Sequence, residues 1–133
     1  MGFLDRFREP PLPDGVLDFS ERLAWAEQSS RLAKSGDVDA WANHLLTWAG
    51  QLAAIDDLGA KIVSGDIQWN AAGQCVGALR DFLENPATEQ HPARDEIWEH
   101  LCEIAPCHAD VYFSDGMSDF LQSRGGPTRY QHY

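Results

Sequence analysis

Apolar residues recur every three or four positions through much of the chain, the spacing that places them on one face of an α-helix. The pattern is strongest between residues 37 and 63, where it predicts one long helix. Gly59 predicts a bend or break nearby, because glycine weakens a helix by up to ~1 kcal/mol relative to alanine. The apolar seam of this helix consists of Val38, Trp41, Leu45, Trp48, Leu52, Ile55 and Ile62.

Weaker patterns of the same kind predict the other helices. The first ends at Gly36, where glycine suits a helix C-cap, and Asp37 can cap the helix that follows. Pro86 and Pro106 end two later helices. The run 107–116 stays open between a short extended piece, a helical turn and a loop. The sequence therefore predicts an all-α fold, a compact bundle of four to five antiparallel helices at about 16–34, 37–63, 67–84, 93–105 and 117–123.

The predicted organisation has three parts: an N-terminal segment with a proline-rich linker (1–14), a single helical domain (15–123) and a flexible tail (124–133). Phe3, Leu4 and Phe7 could form one face of a short N-terminal helix. We expect this face to dock on the protein's own core. The alternative, contact with a membrane or a partner, has too few apolar residues for stable interfacial binding.

A short motif occurs twice. Ser-Gly-Asp followed by an aliphatic residue stands at 35–38 and again at 64–67, and each copy precedes a tryptophan, Trp41 or Trp69. The spacing of 29 residues lies within the range of helical-hairpin repeats. Reuse of a good helix–helix junction explains the echo more simply than a true repeat, and the sequence leaves both interpretations open.

The charge is concentrated in one segment. The net charge is −11, and the stretch from Asp81 to Asp119 holds ten acidic residues and one base, Arg94. Binding of nucleic acid through its phosphates requires a basic surface, so we expect no nucleic-acid partner. Such lopsided charge favours a basic protein partner.

Other features of the sequence indicate the cellular compartment of the protein and the kind of genome that encodes it. No apolar run approaches the ~20 residues of a membrane span, and the first residues lack the apolar core of a signal peptide. We therefore expect a cytoplasmic protein with reduced thiols and no membrane partner. Eight arginines against two lysines suggest a GC-rich bacterial genome.

The predicted fourth helix carries a ridge of like charges. Three glutamates follow each other at spacings of three and four, so they repel one another, and a cationic partner would relieve this repulsion. The alternative is an ordinary solvated face. Trp98 or Tyr112 would supply an apolar anchor. The predicted partner-binding residues are Asp95, Glu96, Glu99, Glu103, Asp110, Asp115, Trp98 and Tyr112, with Asp119 as a further candidate.

Cysteine and histidine, the ligands that zinc prefers, cluster at His100, Cys102, Cys107 and His108. The spacing differs from paired Cys-x2–4-Cys knuckles, and His100 and Cys102 lie about 200° apart on a helix. We therefore predict no metal and no cofactor, and these four residues remain weak candidates.

No catalytic motif is present. The acidic surroundings disfavour a thiolate nucleophile, and neither a Glu-x-x-His repeat nor a glycine-rich phosphate loop occurs. The sequence thus predicts a non-enzymatic acidic binding protein of the inhibitor or immunity type, which covers a basic surface of its partner. The alternative is a helical adaptor or assembly module, or a homodimer through the long second helix. A zinc protein or an enzyme is less favoured.

Overall fold

The computed structural model describes residues 19–65 and 69–130, and within these ranges the chain is helical and contains no strand. The predicted all-α fold is confirmed, and the described ranges contain seven α-helices rather than the four or five predicted for the bundle. Short 3₁₀ turns cover Pro86–Thr88 and Ala105–Cys107. The helices are α1 (Phe19–Ser35), α2 (Val38–Ala53), α3 (Leu58–Ser64), α4 (Trp69–Glu84), α5 (Arg94–Ile104), α6 (Ala109–Tyr112) and α7 (Met117–Ser123).

The core lies where α2, α4 and α5 pack against one another. The seam predicted from the spacing of apolar residues on α2 faces this core. Dimerisation of the protein through this seam would therefore require the core to open. The largest completely buried side chains are Trp48, Tyr112, Phe82, Leu45, Leu52, Leu79, Ile97, Leu101, Ile104 and Leu121.

The long second helix predicted from the sequence is divided into α2 and α3. The break falls at residues 54–57, before Gly59, which itself lies buried inside α3. Asp57 adopts a left-handed conformation with φ 54° and precedes the first residue of α3. Ile55 and Ile62 are both buried, 6% and 5% exposed. The apolar seam therefore continues across a backbone that does not continue as one helix.

Helix α1 is held on the core by polar contacts as well as by packing. The buried hydroxyl of Ser29 accepts a hydrogen bond from Nε1 of Trp41 over 3.1 Å. Nε2 of His44 donates to the carbonyl oxygen of Trp25 over 2.9 Å, and the two rings stack with centroids 4.8 Å apart. Trp25 is therefore a half-buried residue through which α1 docks on α2. The side chain of Trp69 lies outside the described residues.

The two copies of the repeated motif form similar junctions. Ser35 and Ser64 each donate a side-chain hydrogen bond to the carbonyl three residues earlier, over 2.8 and 3.0 Å. Gly36 and Gly65 follow with φ 82° and 88°, the left-handed region that favours glycine. Asp37 caps α2 by accepting from the amide of residue 40. The corresponding second aspartate, like the N-terminal segment 1–14, lies outside the described residues.

The residues after α7 pack back onto the helices. We name residues 124–130 the C-terminal strap. The buried hydroxyl of Tyr112 donates to the carbonyl of Pro127 over 2.8 Å, and the amide of Gly126 donates to the carbonyl of Leu121 over 2.7 Å. The ring of Tyr130 is half-buried against the core. The strap thus covers the side of α6 that carries Tyr112.

Candidate protein-binding surface

Helix α5 presents one apolar face and one acidic face, as its spacing predicts. Ile97, Leu101 and Ile104 are buried, which leaves Glu96, Glu99 and Glu103 exposed on the other side. We name these three glutamates the acidic ridge. Asp95, in the first turn of α5, is exposed beside it, and the helix dipole favours a carboxylate at that end.

His100 lies within the acidic ridge. Its Nε2 is 4.0 Å from Oε2 of Glu96, and its Nδ1 is 3.5 Å from Oε1 of Glu103. The imidazole side chain is 17% exposed, against 62% and 59% for the two glutamates. The carboxylates therefore stand outward over a largely covered imidazole.

Arg94, the one base in the acidic segment, points away from the ridge. Its Nη1 donates to the carbonyl of Leu83 over 3.1 Å and lies 3.4 Å from the carbonyl of Thr88. It therefore fastens the start of α5 to the turn after α4. Among the described residues it makes no ion pair with the acidic ridge, so Arg94 does not neutralise the three carboxylates.

The predicted aspartates after α5 are also exposed. Asp110 stands on α6 with its carboxylate 3.8 Å from Nδ1 of His108. Asp115 has φ 45°, and its carbonyl oxygen accepts from Nη1 of Arg80 over 2.8 Å. Asp119 lies in the first turn of α7. The carboxylates of the predicted set are thus all at the surface.

The two predicted apolar anchors differ in accessibility. Trp98 is half-buried and meets Phe120 edge to face with ring centroids 6.4 Å apart. Tyr112 cannot be a surface anchor, because its ring is completely buried and its hydroxyl holds the strap. Its neighbour Phe113 is 60% exposed instead. The consecutive apolar residues at 111–113 gave no signal to distinguish the buried ring from the exposed one.

The Cys/His cluster is dispersed. No group of three metal-ligating side chains occurs in the ranges 19–65 and 69–130. His100 faces the ridge, and Nδ1 of His108 accepts from the amide of Asp110, which caps α6. Cys107 is buried and its thiol donates to the carbonyl of Glu103 over 3.4 Å. Burial raises the pKa of Cys102 to about 11, which keeps that thiol protonated.

Two open concavities occur among the described residues, and one of them reaches Glu103 of the acidic ridge. The first, of about 640 Å³, lies between α1 and α4 and is lined by small residues such as Ala33 and Gly77 and by charged ones such as Lys34 and Asp81. The other, of about 410 Å³, lies at the break between α2 and α3 and reaches Cys102. Two thiols and two carboxylates line the second concavity together: Cys102 and Cys107, with Asp57 and Glu103. Burial raises the pKa of Cys102 to about 11, so its thiol is a poor nucleophile.

Within the described residues no helix has the length and apolar character needed to cross a membrane. No protein-family model matches the chain, and no curated protein or solved structure matches it either.

Proposed function

We propose that this chain is a non-enzymatic binding protein that covers a basic surface of a protein partner, as inhibitors and immunity-type proteins do. The observation that carries the proposal is the exposed acidic ridge, whose charge Arg94 does not neutralise. Surface carboxylates held on a rigid helix accelerate encounter with a cationic partner, and they exclude acidic competitors.

The chemistry of the partner follows from this charge. A protein that binds phosphate or nucleic acid concentrates lysine and arginine at its site. An acidic helix that fits such a site would block it without any reaction. We place this encounter in the cytoplasm of a bacterium, with no cofactor, no nucleic acid and no membrane involved.

The proposal is tested by charge reversal on the ridge. The variant Glu96→Lys/Glu99→Lys reverses two adjacent ridge charges. The control Glu27→Lys/Asp56→Lys makes the same change in net charge at exposed positions outside the acidic segment. Beads carrying the wild type or either variant are incubated with lysate of the native host at low ionic strength and washed at increasing salt. The retained protein is identified and purified for kinetic measurements.

We expect the wild type and the control to retain the same basic protein, which salt then releases. The ridge variant should associate with it about tenfold more slowly. Its circular dichroism should match that of the wild type, since the exchanged side chains are exposed. Equal association rates for the ridge variant and the control would refute the proposal. So would the capture of no basic protein at low ionic strength.

A further inference from the structure

Phe113 is an aromatic residue that stays largely exposed to solvent at a fixed position. Its amide donates to the carbonyl of Ala109 over 2.9 Å and closes α6. Its ring meets Tyr112 edge to face at 4.8 Å and Tyr130 at 6.1 Å. Both tyrosine rings pack against the ring of Phe113, and 60% of the residue stays exposed.

Aspartates flank Phe113 in the sequence. Asp110 precedes it by three residues, the spacing that brings side chains together on one side of a helical turn, and its side chain is 65% exposed. Asp115 follows two residues later and is also exposed. Phe113 therefore lies near the end of the acidic segment, close in sequence to two exposed carboxylates.

An exposed apolar residue alone needs no explanation, because much of any protein surface is apolar. Leu23 and Val63 are other examples in this chain. Phe113 is the aromatic one of the three, and two tyrosine rings pack against it. An aliphatic partner group would bury the ring but would also remove water from the carboxylate, which is costly.

A guanidinium satisfies both features at once. It stacks on an aromatic face, where the ring quadrupole attracts it, and its planar fork donates to a carboxylate. Lysine offers a more strongly hydrated point charge that fits the ring less well. We propose that Phe113, Tyr130 and Asp110 together hold an arginine side chain of the basic partner, an inference that rests on the proposed function.

The test compares two labelled peptides, deca-arginine and deca-lysine, by fluorescence anisotropy at low ionic strength. The variants are Phe113→Ala, Phe113→Leu and the control Val63→Ala, which truncates a side chain of similar exposure, 64%, on α3. Phe113→Leu keeps an apolar surface but removes the aromatic face. Chemical shifts of the backbone amides of residues 113, 114 and 130 report where each peptide binds.

We expect the wild type to prefer deca-arginine, with the largest shifts at these three amides. Both Phe113 substitutions should weaken deca-arginine binding about two- to fivefold and should weaken deca-lysine binding less. The control Val63→Ala should bind both peptides as the wild type does. Binding of both peptides with no difference between Phe113→Ala and Val63→Ala overturns the arginine site alone. Failure of the wild type to bind either peptide overturns the proposed function and the arginine site together.

Discussion

The hydrogen bond between Ser29 and Trp41 makes a quantitative prediction about how α1 is held. Both residues are buried, 5% and 2% exposed, and the bond joins α1 to α2. The substitution Ser29→Ala leaves the indole N–H buried without a partner, which costs about 1–3 kcal/mol. Alanine is a better helix former than serine by about 0.5 kcal/mol, which offsets part of this cost. The net loss in the free energy of unfolding is therefore about 0.5–2.5 kcal/mol.

Urea unfolding followed by circular dichroism at 222 nm measures this loss. Ser30→Ala is the matched control, because Ser30 is exposed and gains only the helix propensity. Trp41→Phe and the double variant complete a cycle that isolates the coupling between the two side chains, expected at about 1 kcal/mol. Our interpretation of the docking of α1 is wrong if Ser29→Ala is as stable as Ser30→Ala, or if the coupling is zero.

Three further predictions concern other parts of the fold. Gly36→Ala should destabilise the protein by about 1 kcal/mol, because Gly36 has a left-handed conformation with φ 82°. Gly50→Ala should stabilise it by up to ~1 kcal/mol, because Gly50 lies within α2 and an added methyl group meets no other atom. Urea unfolding that gives the same sign for both variants contradicts this. Burial lowers the pKa of His44 below its ordinary 6.5 and outweighs the hydrogen bond to the main chain. The contribution of His44 to stability is therefore complete above about pH 6.5 and is lost as the pH falls through the lowered pKa. The difference in unfolding free energy between the wild type and His44→Gln should shrink in acid, and a constant difference across the pH series would argue against this. Tyr112→Phe should cost about 0.5–1.5 kcal/mol and speed hydrogen exchange at the amide of Gly126 in the strap; unchanged exchange there would show that the hydroxyl does not hold the strap.

The sequence predicts the helices and most of the core because both depend on local spacing. The seam from Trp41 to Ile62 is buried as expected. The sequence predicted a bend or break near Gly59, but the break lies earlier, at residues 54–57, and the spacing does not reveal its position because the apolar residues keep their phase across it. The left-handed Asp57 lies directly before α3, whereas α2 ends at Ala53 with Ala54 as its C-cap. Aspartate adopts the left-handed region more readily than most residues, so its presence in the sequence does not by itself predict a break.

The candidate surface shows the same limit. The spacing of the acidic ridge placed its glutamates correctly at the surface, since α5 has one continuous apolar face. It could not choose between Tyr112 and Phe113, because a four-residue helix has too few positions to define a face. The carbonyl of Pro127, fifteen residues away, draws the tyrosine inward. A hydrogen-bond acceptor this distant in sequence produces no signal in the local pattern of residues.

The stacking at the α1–α2 interface also has a spectroscopic consequence. The indole rings of Trp25 and Trp48 lie 6.2 Å apart and only 27° from parallel. Indoles this close interact through their electronic transitions, so the near-ultraviolet circular dichroism of each depends on the other. Because one indole belongs to α1 and the other to the core, this interaction exists only while α1 is docked. The protein thus carries an intrinsic optical reporter that distinguishes detachment of one helix from unfolding of the whole.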